Sequence, residues 1–288
     1  MTIDRYRAGS QPVGTEPQIA AHYESGELWG RLLAALAEDN VDSEALTLEA
    51  LSPYDHFHGR GLEATEQMAT RMTLDANGCL LDVGSGLGGP ARFFANHLGC
   101  RVTGVDLTPE FCAVAVALNE RLGLSDRIDI HCASALEMPV SDDTFDGAYS
   151  MNVSMNIEDK GRLYREIHRV LRPGARLWLS EIAKGPNDGL TYPTPWASAE
   201  AFSFLSSLED TVSELKANGF DVVRTADTLV ESADFAKRSR SASERGDKPL
   251  HRAVSLVHGA LGMVAAKNSA AGMRAGQIIP VEIECVAN

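Results

Sequence analysis

The chain has 288 residues, of which 44% are hydrophobic and 23% charged, a composition typical of a globular protein large enough to bury its own core. Its 26 lysines and arginines face 40 aspartates and glutamates, and the formal charge of −14 would repel the phosphate backbone of a nucleic acid. The odd number of cysteines, five, without a CxxC pair indicates reduced thiols. No apolar run approaches the roughly 20 residues that span a membrane, and the N-terminus carries no leader-like apolar stretch. We therefore expect a cytoplasmic protein that binds neither nucleic acid nor a membrane.

The N-terminal quarter has no strand pattern. Residues 1–15 are polar and irregular, and we predict a disordered tail there. Residues 16–72 read as helices, with Leu28, Leu32 and Leu36 at helical spacing. This segment is predicted to form a helical cap on the rest of the chain.

From residue 73 onward, short apolar runs alternate with helical patterns, which is typical of repeated βαβ units and a parallel sheet. The predicted strands cover 79–83, 101–105, 128–132, 145–150, 175–182, 220–224 and 278–286. The helices predicted between them cover 89–98, 109–122, 158–171 and 208–218. Pro173-Gly174 is predicted to end the third of these helices before the fifth strand.

A long insertion, about 232–276, precedes the last predicted strand. It exceeds the length of ordinary connections, so we expect a lid over the strand ends. Apolar positions over 250–266 predict a helix within it. Residues 73–288 would then form one core domain that carries this lid.

A glycine-rich turn follows the first strand of the core, in LDVGSGLGGPARFFA. Gly84, Gly86 and Gly88 or Gly89 allow a tight turn and the close approach of a ligand to the backbone. The same spacing satisfies the dinucleotide pattern GxGxxG. Taken alone, the glycines leave an NAD-dependent oxidoreductase open.

Two acidic residues flank this turn. Asp106 ends the second strand, where a carboxylate can accept hydrogen bonds from both hydroxyls of a ribose. Asp82 stands two residues before Gly84, where it would repel a pyrophosphate but would suit an ammonium group. The pair favours a nucleoside that carries an amino acid over one that carries phosphates.

At this point the chain resembles the class I S-adenosylmethionine-dependent methyltransferases. The resemblance rests on LDVGSGLGG, VTGVDLTPE, SALEMPVSDDTFD and REIHRVLRPGARLWLSE, in this order along residues 55–225. It implies an α/β fold with a Rossmann-like, seven-stranded, mostly parallel sheet whose last strand is antiparallel. It also implies S-adenosylmethionine as cofactor, S-adenosylhomocysteine as product, and Leu107 and Asn152 as cofactor-binding residues beside the two acids and the glycines.

The sequence departs from the family pattern at two positions. Ser134 stands where many members have an aspartate that holds the adenine amino group, so adenine recognition would also use the backbone of Ala135 and Leu136. Asn156 stands where many members have a histidine. An amide orients an acceptor molecule, but it is no general base at neutral pH.

Two segments point to a particular group of methyltransferases within this large family. SPYDHFHGRGLEATEQMA, before the first strand, is similar to a segment of small-molecule methyltransferases such as the sarcosine and dimethylglycine N-methyltransferases. YPTPWA, at 192–197, points the same way. A small metabolite is therefore the expected methyl acceptor.

Histidines and aromatic residues are the candidates for the acceptor side. His58 could accept a proton, and His56 could contact the acceptor, since imidazole titrates near neutral pH. The HxH pair has no further ligand cluster, so no metal is expected. Alternatively, His56 or His58 caps a helix or faces solvent and has no role in the reaction.

Tyr23, Tyr192 and Trp196 could wall an acceptor pocket, because aromatic faces stabilise cations. Glu181, at the end of the fifth strand, could act in catalysis or could simply cap the strand. Together these features predict methyl transfer to a nitrogen or a nucleophilic carbon of a small molecule. A non-catalytic S-adenosylmethionine-binding protein and an NAD-dependent oxidoreductase are the alternatives. Self-association through the cap and the insertion remains open.

Overall fold

The computed structural model describes residues 6–9, 12, 14–75, 77–247 and 250–288. The strands are β1 Arg7–Ala8, β2 Cys79–Val83, β3 Arg101–Asp106, β4 Ile128–Cys132, β5 Phe145–Met151, β6 Leu171–Lys184, β7 Phe220–Asp227 and β8 Ile278–Ala287. They form a single sheet in the order β1-β4-β3-β2-β5-β6-β8-β7. All neighbours are parallel except that β8 runs antiparallel to both β6 and β7. The predicted mostly parallel sheet with an antiparallel last strand is therefore confirmed.

Helices cover both faces of the sheet. They are α1 Glu16–Tyr23, α2 Leu28–Glu38, α3 Leu48–Asp55, α4 Leu62–Ala69, α5 Gly89–His97, α6 Pro109–Arg121, α7 Lys160–Val170, α8 Leu208–Ala217, α9 Leu229–Arg245, α10 Ala253–His258 and α11 Ala260–Arg274. Two 3-10 turns, Ser154–Asn156 and Glu200–Phe202, complete the secondary structure. In the described parts of the chain, no helix has the length and apolarity that a membrane span requires.

The strand count differs from the prediction by one. Arg7–Ala8 pairs with β4 at His131 and Cys132 and forms the edge of the sheet. A strand of two residues has no alternation that could be read from sequence, and the segment lies where a disordered tail was predicted. Residues 1–5, 10, 11 and 13 of that predicted tail lie outside the described residues.

Helix α7 ends earlier than Pro173-Gly174, the predicted stop. Its last residue is Val170, and Leu171 already pairs with Phe145 of β5. The residue before a proline avoids helical geometry, so the chain is extended before it reaches Pro173. The insertion holds three helices, α9 to α11, where one helix was predicted over 250–266.

The N-terminal helices share a hydrophobic core with the rest of the chain. Leu28, Leu32 and Leu36 of α2 are buried against Leu118 of α6 and Leu256 of α10. Burial of a leucine side chain contributes about 1.5–3 kcal/mol. The cap and the late insertion are thus packed on the same side of α6.

A buried arginine joins the cap to the glycine turn. The Arg92 side chain of α5 is 0% exposed. Its Nη2 donates to Asp55 Oδ2 at 2.9 Å and also to the Leu87 carbonyl of the turn, while its Nη1 donates to Asn119 Oδ1 at 2.8 Å. One guanidinium therefore fixes α3, the glycine turn and α6 relative to each other.

Replacing Arg92 by Met should strongly destabilise the fold, because it leaves the Asp55 carboxylate buried without its partner. We expect a loss of about 3–5 kcal/mol in the free energy of unfolding, measured by urea denaturation. Adding Asp55→Asn should recover part of that loss, since the unpaired charge disappears.

The matched control is Arg101→Met, at the exposed start of β3. It should change the free energy of unfolding by no more than about 0.5 kcal/mol. Equal effects of the substitutions at Arg92 and Arg101 would contradict the assigned role of Arg92.

Candidate active site

A cavity of about 1050 Å³, counting space open to solvent, lies at the carboxyl ends of the parallel strands and beneath the N-terminal helices. This edge of an open α/β sheet is the usual place for a ligand. Residues of the glycine turn and of the ends of β3 and β5 line one part. Side chains of α1, of the segment after α3 and of the 195–196 loop line the other.

The glycine turn needs its glycines for two different reasons. Gly84 has φ +73°, and a Cβ there would lie 2.3 Å from Val153 Cγ2. Gly86 has φ +52°, and a Cβ there would meet nothing within 4 Å. Gly84 therefore allows close backbone packing, whereas Gly86 leaves open space at the cavity wall.

Asp106 is held by the turn itself. Its Oδ2 accepts a hydrogen bond from Gly86 N at 2.7 Å, and its Oδ1 accepts one from Thr108 N at 2.8 Å. Burial raises the pKa of Asp106, and these backbone donors counteract that rise. The carboxylate is thus fixed in position and keeps lone pairs for further donors.

Asp82 is a buried carboxyl group with an unsatisfied oxygen. It is 2% exposed and lines the cavity, and its Oδ2 has no hydrogen-bond partner. Burial raises its pKa to about 7 against the opposing effect of the neighbouring Tyr149 hydroxyl, and the charge of Asp106 acts in the same direction as burial. A cationic ligand group would satisfy this oxygen and restore the ionised form. Together with the open space at Gly86, this fits a ligand that has an ammonium group.

A third carboxylate was missed by sequence reasoning. Glu16 of α1 lines the cavity, and its carboxylate accepts a hydrogen bond from Ser134 Oγ. Ser134 Oγ in turn accepts from Leu136 N at 3.0 Å. Ser134 lies outside the cavity lining and positions both Glu16 and the backbone of residues 134–136.

Aromatic rings surround the other part of the cavity. Tyr23 lies with its ring centroid 5.9 Å from Phe57 and 5.6 Å from Phe111. The Tyr23 hydroxyl donates to Asn156 Oδ1 at 2.9 Å, and Asn156 Nδ2 donates to the Trp196 carbonyl at 2.7 Å. This chain of bonds links α1, the turn after β5 and the loop after β6.

The two histidines have different positions. His58 lines the cavity; its Nδ1 lies 3.1 Å from Gly59 O and its Nε2 lies 3.1 Å from Thr65 Oγ1. Burial holds the pKa of His58 well below its usual value, so the ring is neutral at physiological pH. His56 lies behind the wall, where its Nδ1 is 2.7 Å from Asp55 Oδ1.

Glu181 supports the wall from outside the cavity. Its Oε1 accepts from Ser150 Oγ at 3.0 Å, and its Oε2 accepts from the backbone N–H groups of Val153 and Ser154 at 3.0 and 3.1 Å. The carboxylate thus orients the segment after β5, which itself lines the cavity. Tyr192 packs in the cluster under the loop after β6.

The cavity brings together most of the residues that the sequence nominated. Those that line it are Tyr23, His58, Asp82, Gly84, Gly86, Asp106, Leu107, Ala135, Asn152, Asn156 and Trp196. Those that lie outside the lining are His56, Gly88, Ser134, Leu136, Glu181 and Tyr192. Lining residues that the sequence did not indicate include Glu16, Phe57, Thr108, Phe111, Met151 and Met155. In the part of the chain that the structure describes, no group of three or more His, Cys, Asp or Glu could hold a metal ion.

Comparison with known proteins gives a consistent assignment. Residues 81–179 match the family described as a methyltransferase domain. The chain is 34% identical over 131 residues to methyltransferase GfsG of Streptomyces halstedii, which covers 46% of this chain and 47% of that protein. The chain thus matches less than half the length of this relative.

Solved structures show the same fold at low identity. Geranyl diphosphate C-methyltransferase from Streptomyces coelicolor, in complex with Mg²⁺, geranyl-S-thiolodiphosphate and S-adenosyl-L-homocysteine, aligns with a TM-score of 0.71 at 17% identity, over 97% of this chain and 100% of that one. The [4+2]-cyclase SpnF aligns with a TM-score of 0.66 at 23% identity, over 98% and 99%. The fold alone therefore does not define the reaction.

The buried Asp82 should make the stability of the protein depend on pH. Its pKa of about 7 in the fold lies above the value of about 3.9 in an unfolded chain, so the folded state binds more protons between these values. The free energy of unfolding should fall as pH rises through this window.

Relative to the wild type, Asp82→Asn should gain stability as pH rises from about 4 to about 8, as measured by urea denaturation across that range. Asp126→Asn, at an exposed aspartate, is the control and should leave the pH dependence unchanged. Parallel curves for the wild type and Asp82→Asn would contradict the raised pKa.

Proposed function

We propose that the chain binds S-adenosylmethionine and transfers its methyl group to a nitrogen or a nucleophilic carbon of a small molecule, since residues 81–179 match the methyltransferase domain family. The observation that carries the proposal is the pair of buried acids on either side of the glycine turn. Asp82 and Asp106 end neighbouring strands and line the same cavity, and one of them has an unpartnered oxygen. This arrangement suits an amino-acid group and a ribose at once.

We call the part of the cavity around these two acids the cofactor seat. Asp106 would accept hydrogen bonds from the ribose hydroxyls, and Asp82 would hold the ammonium group. Leu107 and Ala135 border the space for the adenine, with Glu16 available as an acceptor for its amino group. Ser134 and Leu136 lie outside the lining and would support this wall, and Gly88 would shape the turn. Asn152 lines the cavity after β5.

Bound at this site, S-adenosylmethionine supplies a methyl group on a sulfonium, a centre that a nucleophile attacks in line while a neutral thioether leaves. The protein contributes mainly alignment and exclusion of water, and positioning of this kind can supply about 7–11 kcal/mol. The linked bonds of Tyr23, Asn156 and Trp196 hold the acceptor side of the cavity in one shape.

Among the proposed catalytic residues, His58 has a neutral ring in the cavity lining, with its Nε2 3.1 Å from the Thr65 hydroxyl. Because burial holds its pKa well below the ordinary value, it is a weak base and would take a proton only from the acidic cation that methyl transfer forms on the acceptor. Burial raises the pKa of Tyr23, so its hydroxyl keeps its proton and serves to orient. Glu181 has its oxygens occupied by Ser150 and the 153–154 backbone, so we assign it to positioning.

The cofactor assignment is tested by calorimetric titration with S-adenosylhomocysteine. Asp106→Ala should weaken binding about tenfold to hundredfold, because hydrogen bonds to a charged group contribute about 1.5–3 kcal/mol. Asp126→Ala, at the exposed turn before β4, should leave the dissociation constant unchanged.

NADH is the competing ligand in the same experiment, since the glycine spacing also fits a dinucleotide. The wild type should bind S-adenosylhomocysteine more tightly than NADH. A preference for NADH, or unchanged binding by Asp106→Ala, would contradict the proposed function.

A further inference from the structure

We propose that the methyl acceptor is a mainly apolar molecule that donates a hydrogen bond and carries no anionic group, and that the cavity rejects phosphorylated acceptors. This inference rests on the proposed function, since it concerns the part of the same cavity beyond the cofactor seat. We call that part the acceptor chamber; Tyr23, Phe57, Phe111, Met155, Asn156 and Trp196 bound it.

The charges around the cavity are all acidic. Among the residues that the structure describes, its lining includes Glu16, Asp55, Asp82 and Asp106 but neither lysine nor arginine. The charge of Asp55 is balanced by Arg92, at 2.9 Å, on the side away from the lining. A phosphate group in this cavity would therefore lose its hydration without gaining a cation, and it would face carboxylates.

Two further cations, Lys160 and Arg31, are already engaged elsewhere. Lys160 Nζ donates to the carbonyls of Ser154, Ile157 and Phe204 at 2.6–2.8 Å, and burial lowers its pKa to about 8. Arg31, from α2, donates through Nη1 to two carbonyls of α10 at 3.0 Å. Neither side chain can turn towards the chamber without abandoning buried carbonyl groups.

The histidines near the chamber are neutral as well. Burial lowers the pKa of His58, His22 and His258. His258 Nε2 lies 2.8 Å from the Pro195 carbonyl, and the rings of His22 and His258 are 5.0 Å apart. Packing of two imidazoles at this distance favours neutral rings, so they supply no positive charge to the chamber.

The Tyr23 hydroxyl offers a polar contact to the acceptor, because it gives its hydrogen to Asn156 and keeps an acceptor lone pair. An O–H or N–H of the acceptor can donate to this oxygen while its apolar body packs on Phe57 and Phe111. The chamber therefore suits a hydrophobic molecule that carries a donor group.

The test compares matched ligand pairs on the wild-type protein loaded with S-adenosylhomocysteine. The pairs are farnesol with farnesyl phosphate and p-cresol with p-tolyl phosphate, and binding is followed by calorimetry. At least one uncharged member should bind, and in every pair that binds it should bind at least about tenfold more tightly than its phosphate ester. Tighter or equal binding of the phosphates, or no binding by any uncharged member, would overturn the inference.

Two substitutions of Phe57 test whether the charge of the chamber determines this preference. Phe57→Leu keeps the chamber apolar and should preserve the preference for uncharged ligands. Phe57→Lys adds a cation and should reduce or reverse that preference, with circular dichroism confirming that both variants fold. Unchanged discrimination in a folded Phe57→Lys would show that charge does not control selection.

The loading step separates this inference from the proposed function. If S-adenosylhomocysteine fails to bind, the proposed function fails before any acceptor is tested. If it binds and phosphate esters are preferred, the proposed function stands and only the acceptor class is wrong.

Discussion

The buried ion pair of Arg92 and Asp55 is the contact on which the site depends. Its 2.9 Å bond joins α5, at the start of which the glycine turn lies, to the last residue of α3. The same guanidinium holds the Leu87 carbonyl of the turn. Because a buried charge without its partner is costly, the cap and the turn are held in one relative position. Without this contact, the N-terminal helices would not be held over the cavity.

The two parts of the cavity come from different parts of the chain and have opposite character. The strand ends contribute the carboxylates of Asp82 and Asp106 and the glycine turn. The cap and the 195–196 loop contribute Tyr23, Phe57 and Trp196. A polar, charged cofactor seat therefore adjoins an apolar acceptor chamber. This division is suited to bringing a charged methyl donor against an uncharged acceptor while excluding water.

Features that depend on local sequence were predictable. The glycine turn, the strands of the core and the acids beside the turn follow from short patterns, and their positions agree with the structure. Glu16 was not predictable, because it meets Ser134 across 118 positions and α1 carries no motif that marks it. The strand Arg7–Ala8 is too short to show alternation. Such long-range pairings are decided by packing, which sequence spacing does not encode.

His56 and His58 show the same limit at short range. Both belong to one segment that the sequence nominated, but only His58 lines the cavity, while His56 turns to Asp55 behind it. Glu181 likewise stands where a strand ends, and its carboxylate is occupied by the 150–154 segment. Residue type and spacing identified which segments lie at the cavity. The direction of each side chain followed from the buried partners available to it.

A crystal structure of the protein with S-adenosylhomocysteine tests the central claim most directly. The account predicts the ribose hydroxyls on Asp106, the amino group on Asp82, and the sulfur at the boundary between the cofactor seat and the chamber of Tyr23 and Phe57. A ligand whose ribose contacts neither acid, or whose sulfur is turned away from that chamber, would contradict it.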